Sequence, residues 1–171
     1  MKLFGITGRA RSGKDTLVNT LLSAGYDVGR VAFADALKEE VCAATGVSLL
    51  ALEQHKELYR PLLQWWGTEF RRGQDQDYWI KRVAARLPWS TSDVVFVTDV
   101  RFENEADFIR RMGGTIIRVV RTDGATTAHA GHVTEAGSDR IAEHLRLENT
   151  DFELFQQRVL DWWTQTNFSI A

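Results

Sequence analysis

Two patterns of apolar residues alternate along the chain, one typical of buried strands and one typical of amphipathic helices. Short continuous apolar runs predict strands that are covered on both faces. Apolar residues three and four positions apart predict helices that bury one side. The predicted strands are the run before Gly8, Val28 to Ala34, Val94 to Val100, Thr115 to Arg121 and His144 to Glu148. The predicted helices are about Lys14 to Ala24, Asp35 to Gly46, Ser48 to Arg60, Pro61 to Arg72, Tyr78 to Leu87, Asn104 to Met112 and Asp151 to Thr166.

Strands that alternate with helices predict an α/β fold, with a five-stranded parallel sheet between two layers of helices. Ligands of such sheets bind beyond the carboxyl ends of the strands. Gly8, Asp35, Asp99 and the segment after Arg121 all fall at that edge. We therefore expect one domain over residues 1–171, with a helical acceptor-binding insertion at about 35–93 and a lid at about 122–143, both lying over this edge.

The first strand leads into a Gly-x-x-x-x-Gly-Lys segment, and an amphipathic helix follows directly. Glycines let the backbone wrap around a phosphate chain, while the N–H groups at the helix start and the lysine neutralise it. This context predicts a P-loop, the P-loop NTPase fold and a nucleoside triphosphate ligand. Arg9 and Arg11 add positive charge, although side chains at such positions often point to water. The predicted donor-binding residues are Gly8, Arg9, Ala10, Arg11, Ser12, Gly13, Lys14, Asp15 and Thr16.

Asp15 stands where the usual pattern has serine or threonine. We predict that its carboxylate holds Mg²⁺, directly or through water, together with Asp99 after the third strand, because hard cations favour oxygen ligands. Thr16 is then the hydroxyl that reaches the α-phosphate. Two alternatives stay open: a carboxylate in the first turn of a helix also favours the helix dipole, and Asp99 can simply cap a turn.

Composition narrows the possible partners. A hydrophobic content of 44% and 171 residues fit one ordinary core, and 21 basic against 23 acidic residues leave a net charge of -2. This charge gives no electrostatic footprint for nucleic acid. Cys42 is the single cysteine, which favours a reducing compartment, and no apolar run is long enough to span a bilayer. We expect a cytoplasmic protein with a small-molecule partner, without nucleic acid or membrane; its oligomeric state, including a homodimer, stays open.

The predicted insertion carries side chains suited to a nucleotide acceptor. Trp65 and Trp66 offer aromatic faces for a base, and Arg71 offers a two-pronged contact for a phosphate. Burial in the core is the alternative for these tryptophans, and for Trp79. The remaining predicted acceptor residues are Asp35 and Lys38 for sugar or phosphate, and Gln64 and Thr68 for the base edge. For Asp35, an N-cap role is equally open.

Three further arginines are candidates for phosphate contacts. Arg101 lies two residues beyond Asp99, so both side chains point the same way if the strand continues that far. Its predicted partner is the acceptor phosphate, with an ion pair to Glu103 or Glu105 as the alternative. Arg121 at the lid hinge and Arg140 within the lid are expected to clamp the donor phosphates. His129 and His132 lack a third ligand at motif spacing, so zinc is not expected.

Six segments carry a further pattern: Gly13 to Thr16, Phe33 to Lys38, Leu63 to Glu69 with Arg71, Asp77 to Ile80, Thr98 to Ala106, and His132 to Glu135. Together they resemble the deoxynucleoside monophosphate kinases of tailed bacterial viruses. The resemblance implies ATP- and Mg²⁺-dependent phosphorylation of dNMPs to dNDPs, for DNA synthesis in a host cytoplasm. It also implies that Glu105 is among the substrate-binding residues.

Two rival functions remain at this stage. One is a small-metabolite P-loop kinase that acts on dephospho-coenzyme A or a phosphorylated alcohol. The other is a nucleotide-binding switch or ATPase module that acts on a protein partner. The sequence lacks an Asn-Lys-x-Asp element for reading guanine, and its two excursions suit the enclosure of an acceptor. Both features favour a kinase.

Overall fold

The structure is a computed structural model that describes residues 1–122 and 137–168. The chain forms two compact units. The first contains residues 1–30 and the chain from residue 90 onward, and the second contains residues 31–89. The bounds of the second unit lie close to those of the predicted insertion.

The first unit is built on a five-stranded parallel sheet, as predicted. Its strand order is β2-β3-β1-β4-β5, so the strand that leads into the P-loop is central. In the register, Gly5 of β1 lies opposite Val97 of β3, and Thr7 lies opposite Arg118 of β4. The strands are β1 Lys2–Thr7, β2 Gly29–Val31, β3 Val94–Val97, β4 Thr115–Arg121 and β5 Leu145–Asn149.

Helices flank the sheet and make up most of the second unit. They are α1 Lys14–Ser23, α2 Phe33–Thr45, α3 Leu49–Gln54, α4 Lys56–Gln64, α5 Tyr78–Ala84, α6 Glu103–Arg111 and α7 Phe152–Phe168, with a π-helix at Trp65–Arg72 and a 3-10 turn at Leu87–Trp89. Phe4 and Phe96 stack with their ring centres 5.0 Å apart in the core of the first unit, and Trp162 and Trp163 of α7 pack against Phe4. These two tryptophans therefore have a packing role in the first unit.

The start of α2 differs from the prediction. The strand β2 ends at Val31, and Ala32 in extended conformation is the N-cap residue, so α2 begins at Phe33. Asp35 therefore lies within the first turn, where its charge favours the helix dipole, and the proposed N-cap role is wrong. The predicted end is confirmed, because Gly46 takes a left-handed conformation with φ of 74°.

The helices after α2 also divide at a different residue. The break lies at His55, with φ of -114° and ψ of 38°, and Pro61 lies inside α4 rather than at the start of a helix. As the sixth residue of α4, Pro61 has no N–H to donate to the carbonyl oxygen of Glu57, so the helix continues with one regular hydrogen bond omitted. The chain then continues as the π-helix, whose Gly67 lies so close to α2 that an added Cβ would be 3.0 Å from Leu37 Cδ2. The close approach to α2 thus favours glycine here, because a Cβ would require the Leu37 side chain to shift.

Over the described ranges, none of the helices combines the length and the apolar character that crossing a bilayer requires.

Candidate active site

The loop between β1 and α1 has the backbone conformation that its glycines allow. Gly8 has φ of 142° and Gly13 has φ of 107°, both in the region that side chains rarely adopt. A Cβ on Gly8 would lie 2.3 Å from the carbonyl oxygen of Val119 in β4. Arg11 also has a positive φ, of 60°. The tight path therefore depends on glycine at position 8 for both conformation and space.

Side chains from the carboxyl ends of β4 and β5 contact this loop. Asn149, the last residue of β5, donates from Nδ2 to the carbonyl oxygen of Ser12 at 2.9 Å. Arg121 Nη1 lies 3.4 Å from the carbonyl oxygen of Arg11. Arg121 thus lies beside the loop, and its role as a clamp on the donor phosphates stays a prediction. The contribution of Asn149 was not predicted, because no motif spacing links residues so far apart.

Lys14 lies over the loop. Its Nζ donates to the carbonyl oxygens of Gly8, at 2.8 Å, and of Arg9, at 2.7 Å. Among the fully buried side-chain polar atoms of the described residues, the hydroxyls of Ser12 and Thr7 are the ones without a hydrogen-bond partner. An ammonium group, an unsatisfied hydroxyl in the loop and the N–H groups at the start of α1 are donors that fit a phosphate chain.

The two predicted metal ligands are at the expected edge of the sheet. Asp15 is exposed in the first turn of α1, and its Oδ1 lies 3.7 Å from Nη2 of Arg30. Asp99 follows β3, and the N–H of the next residue, Val100, donates to the carbonyl oxygen of Ile6 in β1 at 3.0 Å. In the described ranges, no three or more histidine, cysteine or carboxylate side chains cluster as a metal site would require. The Mg²⁺ assignment of Asp15 and Asp99 stays a prediction.

The strand does not continue to Arg101. The strand β3 ends at Val97, so the alternation expected for Asp99 and Arg101 does not apply. Glu105 is buried, and its Oε2 accepts the backbone N–H groups of Arg101 at 2.7 Å and of Phe102 at 3.1 Å. This carboxylate thus holds the turn before α6. The Arg101 side chain is exposed, and neither Glu103, which pairs with Arg110, nor Glu105 forms an ion pair with it in the described part of the chain.

A buried arginine organises the described end of the predicted lid. Arg118 of β4 donates to Glu143 Oε2 at 2.8 Å, to the carbonyl oxygen of Ser138 at 2.9 Å and to that of Ile141. The hydrogen bond from Arg118 lowers the pKa of Glu143, against the effect of burial. The pattern of β4 predicts a strand, but it does not indicate that the arginine within this strand is buried.

Arg9 of the loop and Arg140 of the predicted phosphate clamp contact or belong to this segment. Arg9 donates to both carboxylate oxygens of Asp139, at 2.8 Å for the shortest contact, so this loop arginine has a protein partner. Arg140 is exposed in the turn that follows. The remaining predictions for the lid, with His129, His132 and the element from His132 to Glu135, lie outside the described residues.

In the second unit, two predicted acceptor residues meet at one carboxylate, with two further side chains. Glu40 of α2 accepts hydrogen bonds from Trp66 Nε1 at 2.9 Å and from Arg71 Nε at 2.5 Å, both on Oε1. Its Oε2 accepts from the hydroxyl of Tyr78 at 2.5 Å and lies 3.6 Å from Nη2 of Arg82. Burial raises the pKa of Glu40, but the hydrogen bonds from Tyr78, Trp66 and Arg71 outweigh it and keep the pKa lowered. Glu40 was not predicted, because it belongs to no motif with a known spacing, and Tyr78 entered only as part of the segment Asp77 to Ile80, without a role of its own.

Aromatic side chains extend from this cluster. The guanidinium carbon of Arg71 lies 4.8 Å from the ring centres of both Phe70 and Tyr78. Trp65 stacks on Phe70, with centres 5.4 Å apart and planes 6° from parallel, and is 51% exposed. The core alternative is therefore wrong for Trp65. It is correct for Trp79, which is buried and donates to the carbonyl oxygen of Gly67 at 2.9 Å.

Four other predicted acceptor residues also lie in this unit. Lys38 pairs with Glu53, with 2.5 Å between Nζ and Oε1, and its side chain is largely buried. Asp35, Gln64 and Thr68 are half-buried. Their roles toward an acceptor stay predictions.

A phosphate-binding loop at the carboxyl end of a central parallel strand, with helices around the sheet, defines a P-loop NTPase. The family model described as "Phosphomevalonate kinase" matches residues 6–114, and the chain belongs to this family. Membership makes the protein a phosphotransferase of the kinase type, for which ATP is the implied phosphoryl donor.

Similar proteins agree with this class. A protein of Acanthamoeba polyphaga mimivirus described as "Putative deoxynucleotide monophosphate kinase" is 25% identical over 94% of this chain and 95% of its own length. The crystal structure of TT1252 from Thermus thermophilus matches with a TM-score of 0.58 and 19% identity, covering 97% of each chain. A sugar kinase from Janibacter sp. HTCC2649 matches with a TM-score of 0.50 and 14% identity, over 95% of this chain and 94% of that chain. At these identities, the two structures support the fold alone.

Proposed function

We propose that this kinase transfers the γ-phosphoryl group of ATP, with Mg²⁺, to the phosphate of a deoxynucleoside monophosphate. The products are a deoxynucleoside diphosphate and ADP. The description of the mimivirus relative supports this substrate class, as does the resemblance to the viral kinases. The observation that carries the proposal is the stack of Trp65 on Phe70 beside the guanidinium of Arg71.

The donor is bound by the loop in this proposal. Phosphate oxygens replace the carbonyl oxygens that Lys14 now contacts, and the Ser12 hydroxyl gains the partner that it lacks. Asp15 and Asp99 would hold Mg²⁺, which supplies positive charge against the β- and γ-phosphates. Phosphoryl transfer needs little covalent chemistry from the protein, so the placement of these charges is the main contribution of the loop.

The second unit supplies the acceptor residues. The exposed face of Trp65 gives a base a flat surface that accepts several bases, since stacking needs no particular hydrogen-bond pattern. Arg71 gives the acceptor phosphate a planar guanidinium with paired donors. An aromatic surface and a phosphate-binding cation in one helix match the two ends of a nucleotide.

A phosphorylated alcohol is the second candidate acceptor, because the matching family model carries the description of phosphomevalonate kinase. Phosphomevalonate and a deoxynucleotide both offer a phosphate monoester, so Arg71 serves either one. Phosphomevalonate lacks an aromatic base, so of these two acceptors only the nucleotide explains the exposed stack at Trp65. Dephospho-coenzyme A is a further alternative that carries an adenine.

ADP release in the presence of Mg-ATP tests the proposal. The reaction is measured without an acceptor, and then with each common deoxynucleoside and ribonucleoside monophosphate, with phosphomevalonate and with dephospho-coenzyme A. We expect at least one of dTMP, dGMP or a cytosine dNMP to accelerate ADP release. Acceleration by phosphomevalonate or dephospho-coenzyme A alone would replace the substrate class, and acceptor-independent release would favour an ATPase module.

The variant Trp65→Ala separates the two kinds of acceptor. We expect a higher KM for the nucleotide and an unchanged KM for ATP, because stacking contributes about 1–3 kcal/mol per base. Trp89→Ala is a matched control, since Trp89 is another exposed tryptophan of the same unit, 85% exposed. Equal effects of both variants would contradict the stacking role.

A further inference from the structure

Glu40 joins three elements of the second unit through one carboxylate. Its donors come from the π-helix, through Trp66 and Arg71, and from α5, through Tyr78 and Arg82. The side chain is only 10% exposed. A carboxylate so enclosed has little freedom to turn, because each oxygen is engaged by donors from a different element.

This carboxylate fixes the guanidinium of Arg71 at one nitrogen. Only Nε of Arg71 donates to Glu40, while the rings of Phe70 and Tyr78 lie 4.8 Å from its central carbon. In the part of the chain that the structure describes, neither terminal nitrogen, Nη1 nor Nη2, donates a hydrogen bond. The group is thus held in orientation, and the nitrogens that form the two-pronged contact with a phosphate are left available.

The charges of the cluster favour an anion. One carboxylate, Glu40, faces two guanidinium groups, those of Arg71 and Arg82. The lowered pKa of Glu40 means that it stays ionised at neutral pH, so the cluster has a net charge of one positive unit. A phosphate monoester, nearly dianionic at neutral pH, complements this charge.

We infer that Glu40 is a positioning residue that orients Arg71 for the phosphate of the acceptor. The inference rests on the proposed function, in which Arg71 binds that phosphate. Glu40 itself carries a negative charge and does not contact the phosphate. A pre-oriented arginine binds without first losing the freedom of a long side chain, which strengthens binding.

A double-mutant cycle tests this role. The KM for dTMP, or for whichever acceptor proves active, and the KM for ATP are measured for the parent, Glu40→Ala, Arg71→Ala and the double variant. We expect Glu40→Ala to raise the acceptor KM about tenfold and to leave the ATP KM unchanged. In the Arg71→Ala background, we expect the same substitution to have almost no further effect, because Glu40 acts through Arg71.

Two further variants separate positioning from folding. Glu40→Gln keeps an oxygen for Arg71 Nε, so we expect its acceptor KM to lie much closer to that of the parent than the KM of Glu40→Ala does. Glu39→Ala is the matched control, because Glu39 is the neighbouring residue of α2 and pairs with Arg86 outside the cluster. This control should leave the acceptor KM unchanged.

The outcomes distinguish this inference from the proposed function. If Arg71→Ala leaves the acceptor KM unchanged, the assignment of Arg71 to the phosphate is wrong. A second outcome would make Glu40 a structural residue only. In that outcome Arg71→Ala raises the acceptor KM, and Glu40→Gln, with an intact melting curve, raises it as much as Glu40→Ala does. The increases in KM of the two single variants, Glu40→Ala and Arg71→Ala, also multiply in the double variant. If Glu40→Ala does not fold, the acceptor KM of Glu40→Gln is compared with that of Arg71→Ala. A value for Glu40→Gln close to the parent supports the positioning role, and a value as high as that of Arg71→Ala contradicts it.

Discussion

The P-loop and the Glu40 cluster hold their functional side chains in different ways. In the loop, Lys14 contacts main-chain oxygens, and the path of the chain depends on glycine conformations and on Asn149. In the cluster, Arg71 is held by side chains: one carboxylate and two aromatic rings. The first site is therefore formed mainly by backbone, and the second by residues from separate helices.

This difference explains which site the sequence predicts. A backbone site needs glycines at fixed positions next to a strand and a helix, so it leaves a local pattern. A side-chain cluster needs only that distant residues meet after packing, and many residue combinations satisfy that requirement. We therefore expect substitutions in the P-loop to lower turnover, and substitutions in the Glu40 cluster to weaken binding of the acceptor.

The largest expected effect is at the backbone site. Lys14→Ala should lower turnover by at least about a hundredfold, because it removes the charge directed at the phosphates. The melting temperature should change little, since the hydrogen bonds from Lys14 to the carbonyl oxygens of Gly8 and Arg9 lie in a partly exposed loop. Steady-state ADP release and a melting curve measure both quantities, with Lys56→Ala as the control for an exposed lysine. Normal turnover would contradict the P-loop assignment.

Substitution of Arg71 and of Arg101 compares an arginine that is held in the Glu40 cluster with an exposed one. Arg71 is anchored and Arg101 is exposed, yet both are proposed to bind the acceptor phosphate. Arg71→Ala and Arg101→Ala should each weaken transition-state binding of the acceptor by about 2–4 kcal/mol, the scale of removing one charge contact. The kcat/KM for the acceptor and the affinity for ATP are measured for each. A weaker ATP affinity would place the arginine at the donor instead.

Glycine substitution separates conformation from space in the loop. Gly8 and Gly25 both have a positive φ, but only Gly8 has neighbours, with Val119 O at 2.3 Å from an added Cβ. Gly8→Ala should destabilise the protein by about 2–3 kcal/mol, and Gly25→Ala by about 1 kcal/mol. Urea unfolding measures the free energies. Equal destabilisation by both variants would mean that the path of the loop is not restricted by β4.

The pH dependence of stability probes the ion pair of Arg118. Because Arg118 lowers the pKa of Glu143, the ionised pair stabilises the protein above the unfolded-state pKa of Glu143, and this stabilisation is lost as the pH falls through the folded-state value. Glu143→Gln should cost about 1–2 kcal/mol at neutral pH. The difference from the parent should shrink in acid, below the usual value of 4.5. If the stability difference between the parent and Glu143→Gln grows as the pH falls, the ion pair of Arg118 and Glu143 does not cause it.

The smallest expected effect is at Asp15. If its carboxylate holds Mg²⁺, Asp15→Ala should raise the magnesium concentration for half-maximal activity about three- to tenfold, at most about 1.4 kcal/mol. Asp27→Ala is the control, since Asp27 accepts a hydrogen bond from Ser92 instead. Superimposable magnesium curves for Asp15→Ala and the parent would leave Asp15 with the helix dipole and Arg30 as its partners.

The sheet was predictable because its strands are apolar runs that depend on local sequence alone. The predicted and observed bounds of β4 coincide, and β5 differs by one residue at each end. The divisions between helices were less predictable: Pro61 suggested a helix start, but the packing of Gly67 on α2 is a tertiary feature. Glu40, Arg118 and Asn149 act on partners from other elements, so no local pattern indicates them.

The hydrogen bond from Asn149 to the Ser12 carbonyl oxygen has a consequence for synthesis of the protein. The two residues are 137 positions apart, so the loop leaves the ribosome long before its anchor is made. A nascent chain that ends before β5 contains the whole phosphate-binding motif without the side chain that holds it. Nucleotide affinity should therefore arise late during translation, and fragments that lack β5 should bind ATP poorly although their motif is intact.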